Sequence, residues 1–320
     1  MKPGFSYSAI VMLLLLLSAC QENNPVQLAE NSIAEPIEVI LPRERDTTVV
    51  QSDTTLIQET TVDLTGLIQQ DDESYPGTVL VTGVKSDVGS ARTRWAYSRL
   101  LLRDVRDSLQ VKGNFGSYTG YGYRYLEVGR AKLDDTEFDV AEWIIQIKSL
   151  TLLPITVRAG FFYKLGYDGI QSSKQIAYLP DHQYVVSAEG KGDIKPFGLT
   201  LESPDEVTLL HPNTQALVFR DEDLVLRWAG RAADSVRVII STFDEIRGRA
   251  SKPLMVLAAS PRGNSLVVPS RVLKLIPTSA GGRYLMTFVS ANRRIALIDG
   301  YPYKVLLQAA SIHNILISLR

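Results

Sequence analysis

One cysteine stands in 320 residues, so no disulfide can form within this chain. In an oxidising compartment its fold would be stabilised by the core alone. Histidine is nearly as scarce. His182, His211 and His313 lie far apart, with no Cys or His at ligand spacing, and each reads as a turn or edge residue rather than a zinc ligand. No Ser occupies a Gly-x-Ser-x-Gly elbow. Excess charge is missing as well: 34 Lys+Arg against 35 Asp+Glu leave a net charge of −1, which argues against nucleic acid as a partner. The apolar run Ala9–Leu17 falls short of the ~20 residues that a membrane-spanning helix needs.

What is present begins at the first residues. Met1-Lys2-Pro3-Gly4 is followed by a Leu-rich stretch ending in Leu17-Ser18-Ala19-Cys20. A short positive region, an apolar run and small residues before a cut describe an export signal over residues 1–19. Leu17-Ser18-Ala19-Cys20 resembles the lipobox of bacterial lipoproteins. That resemblance implies cleavage before Cys20, lipid on its thiol, and the membrane as a partner through that anchor. Two or more acyl chains meet the requirement for stable anchoring. The residue after Cys20 is Gln21 and not Asp, which by the same resemblance leans towards the outer membrane, facing either the periplasm or the surface.

Residues 20–74 change character. Polar residues, Pro25, Pro36 and Pro42 dominate, and no aromatic appears before Tyr75. Such a segment buries too little to offset its ordering entropy, so the sequence predicts a disordered, lipidated tether. A short strand around Val49–Ile57 is the competing reading.

From Tyr75 onwards, short alternating apolar runs are separated by Gly, Pro, Asp and Asn. The pattern predicts an all-β protein of two β-sandwich domains, residues 75–202 and 203–320, packed end to end. Residues 91–109 read equally as a helix or a strand. In the second half, Leu226-Arg227-Trp228, a short loop and an alternating strand resemble the B and C strand region of immunoglobulin-like and fibronectin-III-like sandwiches. Val267 to Pro277 resembles the strand and short helix found in such domains of bacterial surface lipoproteins. The resemblance implies that Trp228 packs between two sheets. Leu224–Trp228 and Val236–Ile240 are expected to pair as a hairpin.

The sequence predicts no catalytic, cofactor-binding or metal-ligating residue. The acidic groups Asp71-Asp72-Glu73, Asp134-Asp135 with Glu137 and Asp139, and Asp221-Glu222-Asp223 read as solvated turns, since none matches a calcium loop. Arg92, Arg94, Arg99, Arg103 and Arg106, interleaved with Asp104 and Asp107, read as a solvated face. Tyr121, Tyr123 and Tyr125 would share one face of a strand, either as a binding patch for a glycan or an envelope protein, or as core. The function expected from these features is a non-enzymatic binding or structural module on the envelope. A lipid-anchored, carbohydrate-active hydrolase without a readable motif is the alternative. Cys20→Ser should abolish incorporation of labelled fatty acid during growth, and equal label in both proteins would disprove the anchor.

Overall fold

Every residue from Val305 to Ile317 is buried, on both faces of one strand. The computed structural model of the protein describes residues 37–40, 75–88, 91–111, 120–147, 155–166, 172–231, 233, 235–244, 249–259, 263–278 and 282–320. Cys20, Val49–Ile57 and the acidic run 71–73 lie outside them. The doubly buried strand is β18 (Tyr301–Leu319). Apolar residues at both odd and even positions suit it to the middle of a sheet covered on both sides. β17 (Arg283–Ile298) pairs with it antiparallel through the turn at Asp299–Gly300. On the other edge β2 (Gly77–Val88) runs parallel to it, from Gly77 opposite Val305 to Asp87 opposite Ile315. Where β2 stops, β12 (Ala216–Val218) takes over that edge, again parallel, opposite Ile317–Leu319. The Thr214 hydroxyl donates to the Asp87 carbonyl across this joint at 2.6 Å.

The sheet extends from this centre to 11 strands. Beyond β17 lie β14 (Ser235–Asp244), β15 (Arg249–Ala259) and the edge strand β1 (Ile37–Ile40). Beyond β2 lie β3 (Ala91–Val111), β4 (Gly120–Tyr125), β8 (Ile155–Gly166) and β7 (Asp139–Ile147). The ambiguous stretch 91–109 is therefore strand, because Ala96, Ser98, Leu100 and Leu102 bury one face at a period of two. β1 lies within the range predicted as tether. Its Ile37, Val39 and Ile40 are β-branched and pair with Val256–Ala259 on an open edge.

Two small sheets cover the same face of the large one. The first contains β10 (Phe197–Glu202), β9 (Gln183–Ala188), β5 (Ala131–Leu133) and β6 (Thr136–Glu137). Its Val186, Leu199 and Leu201 form one core with Val79, Val81, Leu100, Leu102, Val305 and Leu307. The second contains β11 (Thr208–His211), β13 (Leu224–Ala229) and β16 (Ser265–Val268), followed by the short helix α1 (Ser270–Leu273). Its Leu224, Leu226, Trp228, Val272 and Leu273 form a second core with Val238, Ile240, Phe288, Ile315 and Ile317. Both sandwiches are thus present, and they share one continuous sheet. On the opposite face of that sheet a third cluster includes Val84, Tyr97, Ile239, Val289, Ala310 and Ile312.

The expected hairpin is overturned. β13 pairs with β11 and β16, whereas β14 pairs with β15 and β17. β13 and β14 lie in different layers, so their apolar faces meet across the core and are not side by side. Alternation fixes which face is apolar, and either arrangement satisfies it. Trp228 does lie between the sheets, 2% exposed, with its ring centroid 4.9 Å from that of Phe288. Trp228→Ala should lower stability by ~3–5 kcal/mol, read as an earlier midpoint in urea, while Trp228→Phe keeps most of the packing. An unchanged midpoint for the Ala variant would place Trp228 outside the core.

Candidate functional site

The covered face of β18 changes character halfway along. Val305, Leu307 and Ala309 belong to the first core and Ile315 and Ile317 to the second, with Ser311 and His313 between them. On the neighbouring strand β2 the same face reads Val79, Val81, Gly83, Lys85, Asp87. The two small sheets thus leave a polar seam across the centre of the large one.

Two segments cross the seam. The first, residues 172–182, is held at its start by Asp139, whose Oδ2 accepts from Ser172 Oγ at 2.5 Å, Ser173 N at 2.7 Å and Ser173 Oγ at 2.7 Å. These bonds, the Ser172 hydroxyl first, hold the Asp139 carboxyl far below the usual carboxylate range. From there Ile176, Ala177 and Tyr178 pass over β2. The Tyr178 ring lies directly on Gly83, where no Cβ would fit. The Tyr178 hydroxyl donates to the Pro204 carbonyl at 2.7 Å. Burial pushes its pKa well above that of an ordinary phenol, so it stays protonated and acts as a fixed donor.

The second segment is 203–211. Val207 N donates to Ser311 Oγ at 2.9 Å and Leu209 N to His313 Nδ1 at 2.8 Å, which clamps the edge of β11 to β18. Glu206 pairs with Arg94 at 3.0 Å on the surface. Between the two segments lies a groove of about 280 Å³, lined by Gly83, Lys85, Arg94, Ile176, Tyr178, Glu206 and Ser311 among others. Lys85 is half-buried, and its Nζ donates to Thr208 Oγ1 at 2.9 Å. Among the described residues no carboxylate oxygen comes within 4.0 Å of that ammonium, whereas Arg94 has Glu206.

Of the residues singled out in the sequence, Arg94 reaches the groove, paired there with Glu206. Tyr121, Tyr123 and Tyr125 alternate along β4, so the backbone puts them on one face, and Tyr125 does not line the groove. Tyr125 is half-buried opposite Arg103; the side chains of Tyr121 and Tyr123 are outside the description. Arg92 approaches Asp87 at 3.8 Å, and Arg106 donates to the Tyr303 hydroxyl at 3.1 Å. Asp134-Asp135 and Asp221-Glu222 lie in exposed turns, and Asp223 accepts from Ser270 N at 2.7 Å. Among the described residues no three His, Cys, Asp or Glu side chains are grouped to hold a metal ion. Lys85, Tyr178 and Glu206 were not anticipated. Gly83, a lone glycine inside an apolar strand run, was the available signal of a close approach.

His313 departs from the expected turn or edge position: it is 1% exposed in the middle of β18. Its Nδ1 accepts from Leu209, so the ring proton sits on Nε2, 3.2 Å from Asp87 Oδ2. Burial lowers its pKa below the ordinary 6.5, with the Asp87 carboxylate opposing. As pH falls, the unfolded chain takes up this proton before the folded protein does, so the stabilisation is full above about pH 6.5 and is lost below it. His313→Gln should lower stability at about pH 7.5 by ~1–3 kcal/mol. It should also flatten the decline of the urea midpoint towards about pH 5; a decline as steep as in the wild type would assign the acid sensitivity to other groups.

Comparison with known proteins matches this chain to no family model, no curated protein and no solved structure.

Proposed function

We propose that this protein is a lipid-anchored, non-enzymatic binding module of the bacterial envelope, held through Cys20 and binding its ligand in the seam between the two small sheets. The groove is the observation that carries the binding part. Its polar groups are already engaged with the fold: Ser311 with Val207, Tyr178 with Pro204, Arg94 with Glu206. Groups fixed in this way form a preorganised concave surface and need no rearrangement to receive a ligand. They are poorly placed to exchange protons or attack a bond, which favours binding over the carbohydrate-active alternative.

The lipobox-like Leu17-Ser18-Ala19-Cys20 supports the anchored part, and Gln21 after it supports the outer membrane. Immunoglobulin-like character of residues 203–320 belongs to the same reading, with Trp228 between the layers as its best support. The tyrosine face of β4 stays within the proposal as a second contact surface, for a glycan or an envelope protein. Density-gradient fractionation of the envelope should place the wild type with the outer membrane and release Cys20→Ser into the soluble fraction. Turnover of chromogenic glycosides by the purified protein would overturn the non-enzymatic reading.

A further inference from the structure

We propose that the seam groove takes a small monocarboxylate with an apolar body, its carboxylate on Lys85 and its body against Ile176 and Tyr178. This rests on the binding reading above and adds the chemical class of the ligand. A half-buried ammonium draws a partner of opposite charge, because partial desolvation weakens its hydration without removing its charge. Arg94 has such a partner in Glu206. Lys85 has a neutral hydroxyl, Thr208 Oγ1, which takes one of its three donors. Summed over Lys85, Arg94 and Glu206, the groove carries one unbalanced positive charge.

The remaining surface is apolar or small. The Tyr178 ring covers Gly83, Ala96 lines the groove beside it, and Ile176, Ala177 and Tyr178 form one wall. A volume of about 280 Å³ suits a compact body and excludes a folded peptide or an oligosaccharide chain from full enclosure. The Tyr178 hydroxyl is committed to Pro204, so the wall offers a ring and no free hydroxyl. One charge at one end and an apolar wall along the side describe an amphipathic acid. A medium-chain fatty acid and an aromatic carboxylic acid share that chemistry.

Calorimetric titration of the full-length protein with decanoate and with 2-naphthoate separates those two sources, and decanol and decyltrimethylammonium serve as the neutral and cationic comparators. At least one carboxylate should bind, and the comparators should bind at least tenfold more weakly. Lys85→Met should weaken the carboxylate by roughly tenfold or more, Lys85→Arg should restore most of it, and Ala177→Trp should block it. Melting curves confirm that each variant is folded, and a variant that does not fold is replaced by the Ala177→Trp comparison. Equal binding of decanol, or carboxylate binding unchanged in Lys85→Met, would overturn the carboxylate assignment and leave the groove as a binding site of another class. Binding of none of the four probes by the folded wild type would overturn the assignment and remove the groove's support for the binding reading as well.

Discussion

The parallel pairing of β18 with β2 is the constraint on which the rest of the structure depends. It joins the final strand of the chain to the first long strand after Tyr75, and it makes one sheet out of what would otherwise be two. With β17 on its other edge, β18 has both rows of backbone groups paired, and both its faces are buried. A strand so placed carries apolar side chains on both sides, which is why its sequence shows a nearly continuous apolar run. The two small sheets then have a common floor, and each needs only one apolar face of its own to complete a core.

The seam follows from that arrangement. Among the described residues the two small sheets stand on one floor without pairing to each other. At the seam the floor switches from Val305, Leu307 and Ala309 to Ser311 and His313, then back to Ile315 and Ile317. The polar residues there are structural first. Ser311 and His313 take the backbone N–H groups of Val207 and Leu209, which would otherwise be buried without acceptors. The groove is the space left over once those obligations are met. Lys85 stands out in it because its charge is not consumed by them.

Much of the architecture was legible in the sequence. Alternating runs such as Gln183–Ala188 and Leu224–Ala229 announced strands, and Ser265–Leu273 announced a strand followed by a short helix. Trp228 reads as a residue between sheets and is one. Pairing was less legible. Alternation in β13 and β14 says which side is apolar and nothing about whether the two strands lie beside or across from each other. β1 was hidden because four residues in a polar stretch carry little signal, and its partner β15 lies far along the chain. Of the candidate site, only the close approach at Gly83 was legible. Lys85, Tyr178, Glu206 and His313 come from four separate stretches, and no local spacing connects them before β18 and β2 pair. The tyrosines on β4 attracted notice because their pattern is local.

Because the shared strand β18 follows every other described strand in the sequence, neither sandwich has a complete floor until it is available. Gly77 waits for Val305, and Val218 waits for Leu319, so contacts near both ends of the folded region are among the last that can form. Chains dominated by such distant pairings fold slowly and expose unpaired strand edges meanwhile. A chain of this sequence is held open by its own topology until β18, the keystone of both sandwiches, has been made.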